Sequence, residues 1–188
     1  LYKRLAEMLN AKYIWVPGVT ISDGIACAYA EKNRMIYFEH DFEEDVLAAA
    51  KNLAERYHGY SSHTEAVLNM AIAIFDAMKK VHGMGKRERL LLQVAAILHD
   101  CGRYISLVNQ SECSYQIIIA TEIIGMTHLE REIVASAVKY NSQPLQTYSS
   151  VSDKMGKEDY MVVSKLTAIL KIANAMDRSH KQKFKNIK

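Results

Sequence analysis

Four residues of this chain are of types that could share one chemistry. They are His63, the adjacent pair His99-Asp100, and Asp177. Imidazole and carboxylate are ligands for hard or borderline divalent cations, and an adjacent His-Asp pair delivers one of each. His63 stands at the start of a helix and His99-Asp100 at the end of the next, so antiparallel neighbours would bring the three together. A further ligand must come from another helix. At about 100° per residue, Asp177 falls between Leu166, Leu170 and Ala173, inside the apolar face of the last helix. Asn174 falls at the edge of that face. A buried Asp needs a partner. Two readings follow: a divalent-metal or proton-sharing site, or a buried polar network that ties three helices with no metal.

The element that must position the pair is Leu90–Ser106, LLLQVAAILHDCGRYIS. From Leu90 to Leu98 only Gln93 is polar. A helix apolar nearly all round belongs in the middle of a bundle. Gly102 stops it. Around it, Asp41-x-x-Glu44 caps a helix to about Arg56. Ser62-His63-Thr64-Glu65 reads as a capping box for a helix with Val67, Met70, Ala71, Ile74, Phe75 and Met78 inward, ended by the GMG at 83–85. Ser111–Thr121 is a short buried helix ended by Gly125. Thr127-x-x-Glu130 opens another, to about Tyr140. Residues 141–156 form the longest loop, and Glu158–His180 is the last helix. Upstream, residues 1–12 read as a short helix and Tyr13–Ile21, YIWVPGVTI, as a strand. Ser22-Asp23-Gly24 is a turn or N-cap, and Ile25–Glu31 a short helix. A lone strand is not stable, so residues 1–33 read as the tail of an absent α/β domain and residues 34–188 as a helical domain.

Composition agrees. The 188 residues are 49% hydrophobic and 24% charged, with two prolines and eight glycines, which favours helix over a loop-rich β fold. A net charge of +3 suits an anionic ligand but is too weak for nucleic-acid recognition. Cys27, Cys101 and Cys113 lack CxxC spacing and fit reduced thiols in a cytoplasmic protein. No apolar run approaches the roughly 20 residues of a membrane span. The chain begins at Leu1, not Met, and reads as a piece of a longer protein.

The order His, His-Asp, distant Asp on a helical bundle resembles the HD superfamily of metal-dependent phosphohydrolases. SDGIACAYAEK, LAERYHGYSSHTEAV, LLLQVAAILHDCGRYIS, GMTHLEREIVASAVKYN and LTAILKIANAMDRSH, in that order, resemble the C-terminal part of the exopolyphosphatase / guanosine pentaphosphate phosphohydrolase family. The resemblance implies an all-α, HD-like bundle carrying an α/β remnant of an upstream actin-like ATPase-fold domain that holds the phosphatase site. His63, His99 and Asp100 match its pattern. The distant Asp is replaced by Asn174, leaving the later Asp177, and histidines of the family read Gln110, Cys113 and Asn141 here. A Mg²⁺ or Mn²⁺ centre is accordingly expected to be weak or absent. The resemblance also implies a basic groove, for which Arg103, Lys139, Lys171, Arg178 and Lys181 are candidates, followed by a basic tail at His180, Lys183 and Lys185. The expected function is an accessory domain for a polyphosphate- or guanosine pentaphosphate-hydrolysing enzyme, contributing binding and homodimerisation beside the upstream phosphatase domain. The alternatives are an independent HD phosphohydrolase acting on a nucleotide, and a non-catalytic signal-binding bundle.

Overall fold

The computed structural model describes residues 1–37, 41–59 and 61–184. They divide into two compact units, Leu1–Asp41 and Phe42–Lys188. The first holds α1 (Tyr2–Met8) and α2 (Ile21–Lys32). Thr20 and Asp23 cap α2 reciprocally, so it starts four residues before the expected Ile25. The expected strand over Tyr13–Ile21 is not formed: residues 13–20 carry no regular structure, and Ile21 is already helical. β-branched and aromatic residues favour strand only where a neighbouring strand takes up their backbone groups. Trp15, Val16 and Val19 are exposed.

Among the described residues the regular structure of the second unit is helical: α3 (Phe42–Arg56), α4 (Ser62–Ala77), the short α5 (Lys79–His82), α6 (Lys86–Leu98), α7 (Gln110–Ala120), α8 (His128–Ser142) and α9 (Lys157–Met176). The apolar stretch is α6, and it packs against α3, α4, α8 and α9. Leu90, Leu92, Val94, Ile97 and Leu98 are each at most 1% exposed. Burying one such side chain contributes about 1.5–3 kcal/mol, so α6 alone supplies a large share of the core. Among the described residues no helix is long and apolar enough to cross a membrane.

Local signals set the helix ends. Thr127 and Glu130 form the expected capping box of α8. The same Glu130 takes a bidentate ion pair from Arg87 at the start of α6, at 2.6 and 2.8 Å, so one carboxylate caps a helix and fixes it to the central one. The cap of α4 is Ser61, one residue before the expected Ser62. α4 ends at Ala77, and the left-handed Gly83 (φ 67°) closes α5. α7 stops at Ala120, before Gly125. α9 ends at Met176, four residues before the expected His180, because Asp177 leaves helical geometry and its carboxylate turns inward.

Gly102 does not end α6, which stops at Leu98 with His99 as its cap. It lies in the 3-10 turn Cys101–Tyr104, where an added Cβ would collide with the Gln110 carbonyl oxygen and the Ser114 backbone nitrogen. Its N–H donates to Ser114 Oγ at 2.8 Å. Cys101 beside it is fully buried, and burial pushes its thiol up to about 11. Cys101 is therefore expected to stay unmodified by a thiol reagent at about pH 8 until denaturant is added, whereas the exposed Cys27 reacts at once. Mass-spectrometric mapping of the labelled cysteines checks it.

Candidate functional site

His63, Asn174 and Asp177 converge as the helix wheel predicts. The first turn of α4 faces the last turn of α9, and His63 is 4% and Asp177 1% exposed. His63 Nδ1 donates to Asp177 Oδ2 at 2.8 Å. Its Nε2 faces the Asn174 amide at 3.2 Å, a group that can present either its oxygen or its NH₂ there. Both ring nitrogens of His63 are thus engaged by α9 and the residue that caps it.

His99, at the end of α6, lies edge-on to the His63 ring with centroids 5.4 Å apart. Its Nδ1–H donates to the Ala96 carbonyl oxygen at 2.7 Å, which fixes the tautomer and leaves Nε2 as a lone pair. That Nε2 is buried and has no hydrogen-bond partner among the described residues. Burial foremost holds the His99 imidazole below its ordinary range, against the raising effects of Ala96 and Asp100; nearby His63 and His180 lower it further.

Asp100 goes elsewhere. Its carboxylate accepts from Nε2 of Gln110, the first residue of α7, and faces Arg103 at 3.7 Å. Gln110 thereby anchors Asp100 to α7. Asp177 has a second set of partners: Gln182 donates through its backbone N–H at 2.7 Å and its amide at 3.2 Å. Burial raises the Asp177 carboxyl, but the bonds from His63 and Gln182 outweigh it and hold the group below the usual carboxylate range.

These positions do not present a ligand sphere. His63 has no free nitrogen, Asp100 is turned to Gln110 and Arg103, and Asp177 is shared between His63 and Gln182. Among the described residues no group of three or more His, Cys, Asp or Glu is placed to hold a metal ion. The residues as they stand do not fit the divalent cation that the HD pattern implies. The arrangement is a polar clasp that joins α4 to α9 beside the end of α6.

One member of the cluster escapes sequence reasoning. His180 stacks on His63 with ring centroids 3.8 Å apart and planes within 20°. It lies past the end of α9, where helical periodicity carries no information. The short spacing Asp177-x-x-His180 is its only sequence signal.

The candidate cations separate into two groups. Lys139 pairs with Glu112 at 2.8 Å and lies 5.1 Å from the centre of the Tyr115 ring, and Lys171 donates to the Gln143 carbonyl at 3.1 Å. Both are committed to the fold. Arg103, Arg178 and Lys181 are exposed and lie close in sequence to Asp100, Asp177 and His180, Arg103 with its guanidinium 3.7 Å from the Asp100 carboxylate. Lys183 is also exposed, while Lys185 lies outside the described residues. Asn141 is buried, its Oδ1 without a partner among the described residues, and Cys113 is half-buried.

Two comparisons bear on this arrangement. A family model described as Ppx/GppA phosphatase, domain III, matches residues 47–188. A guanosine-5'-triphosphate,3'-diphosphate pyrophosphatase of Photobacterium profundum is 23% identical over 133 residues, 71% of this chain and 25% of that protein. The aligned part thus spans about a quarter of the length of that curated relative.

Asp177→Ala would leave the His63 ring and the Gln182 amide without their buried acceptor. It is expected to destabilise the bundle by about 1–3 kcal/mol, the cost of leaving a buried hydrogen-bonding group without its partner. Urea unfolding measures this, and the difference is expected to persist unchanged in the presence of a chelator.

Proposed function

We propose, since this chain belongs to the Ppx/GppA phosphatase family as its domain III, that it is the anion-binding accessory domain of a phosphoanhydride hydrolase whose chemistry lies in another domain. The observation that carries the reading is the commitment of every HD-type side chain but one. His63, Asp100 and Asp177 spend their polar atoms on neighbouring helices and turns, while Arg103, Arg178 and Lys181 stay exposed.

The physical requirements of phosphoryl transfer support this division. Transfer to water needs the terminal phosphate held, its charge neutralised and a water aimed in line. The chain contains no GxGxxG or Walker-type loop to cradle a phosphate. In the buried cluster the carboxylate is already engaged by an imidazole. Exposed guanidinium and ammonium groups can attract a polyanion without reorganisation of the protein, and guanidinium suits phosphate oxygens in particular. The ligand class is a polyphosphate chain or a guanosine nucleotide bearing several phosphates. Mg²⁺ or Mn²⁺, where it takes part, enters with the phosphates of that ligand. A second copy of the chain and an upstream phosphatase domain are the expected protein partners.

The independent-hydrolase reading keeps one observation in its favour, the free lone pair of His99 Nε2. Phosphate release separates the two readings. The 188-residue chain is expected to bind polyphosphate and to release no phosphate from it with added Mg²⁺. Turnover abolished by His99→Ala/Asp100→Ala would overturn the accessory reading. Replacing Arg178 and Lys181 together by Gln is expected to weaken polyphosphate binding by about 5- to 30-fold, from roughly 0.5–1 kcal/mol for each exposed charge. Binding to the unaltered chain should fall as the Debye length shrinks from about 10 Å at 0.1 M salt to about 3 Å at 1 M. Titration at the two salt concentrations checks both effects.

A further inference from the structure

A slot beside α7 contains none of the clasp residues. It holds about 400 Å³ and takes its apolar lining from Ile105, Ile117 and Ala120. Tyr57, just past the end of α3, gives it one aromatic side, and Asn109 and Glu112 give it polar groups. That volume and that mixture, largely apolar with a few polar groups, are those of a small-molecule site. Ile105 is 58% exposed, so part of the apolar lining is left to water. The Tyr57 ring stands edge-on to Tyr104 with centroids 6.3 Å apart, a contact that braces its plane.

Glu112 is the group that selects a ligand. One of its oxygens pairs with Lys139 at 2.8 Å, and the other accepts from the Gln116 amide at 3.3 Å. The bond from Lys139 foremost holds the Glu112 carboxyl below the usual carboxylate range, so the group is an anion at neutral pH. Each oxygen has taken one donor and can accept a second. Two acceptors side by side match two parallel N–H donors. Guanine carries such donors on one edge, N1–H and N2–H₂, whereas adenine turns a bare acceptor to the same place. A flat purine also suits the aromatic side, because bases stack favourably on tyrosine. Arg103 precedes Ile105 by two residues, so their Cα atoms are no more than about 7 Å apart. An exposed guanidinium is therefore available to the phosphates of a nucleotide whose base enters the slot.

We propose that this slot takes the base of a guanosine nucleotide, stacked on Tyr57 and read through N1–H and N2–H₂ by the Glu112 carboxylate, with Arg103 toward the phosphates. The inference rests on the anion-binding reading and deepens it. Cationic side chains alone bind any polyanion, and a base slot lets the domain tell a guanosine nucleotide from a bare phosphate chain.

Calorimetric titration of the 188-residue chain with GTP, ATP and inorganic triphosphate is the experiment. GTP is expected to bind about tenfold or more tighter than triphosphate, through stacking and the two added hydrogen bonds, and ATP about tenfold weaker than GTP. Tyr57→Leu should bring GTP down to the level of triphosphate and leave triphosphate unchanged. Glu112→Gln should remove the preference for GTP over ATP without weakening triphosphate. Triphosphate that binds as tightly as GTP overturns the slot and leaves the anion-binding reading standing. GTP that binds while triphosphate does not overturns that reading and leaves the slot standing. Equal affinity for ATP and GTP overturns the role of Glu112 and with it the proposal. Should Tyr57→Leu fail to fold by circular dichroism, Glu112→Gln decides, since it changes a half-buried side chain at its tip; an unaltered preference for GTP there overturns the proposal.

Discussion

A carboxylate that is 1% exposed must be answered by a donor, and in this chain the answer to Asp177 comes from a helix far away in sequence. His63 supplies it from the first turn of α4 at 2.8 Å. Much of the local architecture follows from that need. α4 must present its first turn, not its middle, to α9. α9 must stop at Met176 so that the carboxylate turns inward. The chain beyond must fold back so that Gln182 can satisfy what His63 leaves over. Breaking one partner of such a pair is far more damaging than replacing both with apolar groups, so the two residues constrain each other.

The clasp rests on a bundle whose middle is apolar and whose helix ends are fastened by polar contacts. α6 brings bulk: its side chains meet α3, α4, α8 and α9 and leave little room for error. Its two ends are treated differently. At the start, Arg87 reaches Glu130 and the Gly125 carbonyl and so registers α8 against α6. At the other end, Gly102 lets α7 approach so closely that a methyl group would collide with its backbone. The His99-Asp100 pair sits between these fastenings. One member faces the buried imidazoles and the other is drawn outward to Gln110 on α7.

The helices and the clasp were legible in the sequence to different depths. Periodicity located Asp177 and Asn174 on the correct side of α9, because burial of Leu166, Leu170 and Ala173 fixes the helix rotation. It also placed His63 near His99. It did not distinguish where each polar atom would point. Asp100 looked like a companion of His63, yet Gln110, close in sequence and first in its helix, claims the carboxylate. Lys139 and Lys171 looked like free cations, but their partners, Glu112 and the Gln143 carbonyl, come from parts of the fold that one-helix reasoning does not see. His180 lies in a turn, where neither period applies. The strand read at Tyr13–Ile21 fails for a related reason: propensity describes a residue's fit to a sheet, and the described residues of that unit provide none.

The His63–Asp177 contact also has a history in time. The two residues are 114 positions apart in the chain. Closing a segment of that length costs entropy that grows only slowly with length, but it has to be met before the contact gives anything back. During synthesis, at about 5–20 residues per second, the α4 histidine waits on the order of ten seconds for its carboxylate to exist. Through that interval the first turn of α4 has an imidazole prepared for burial and nothing to bury it against. The helices between can assemble on α6 from their own apolar faces, while the end of the bundle that carries the clasp stays open to water. The bundle is sealed from that end, and the last turn of the last helix is the part that seals it.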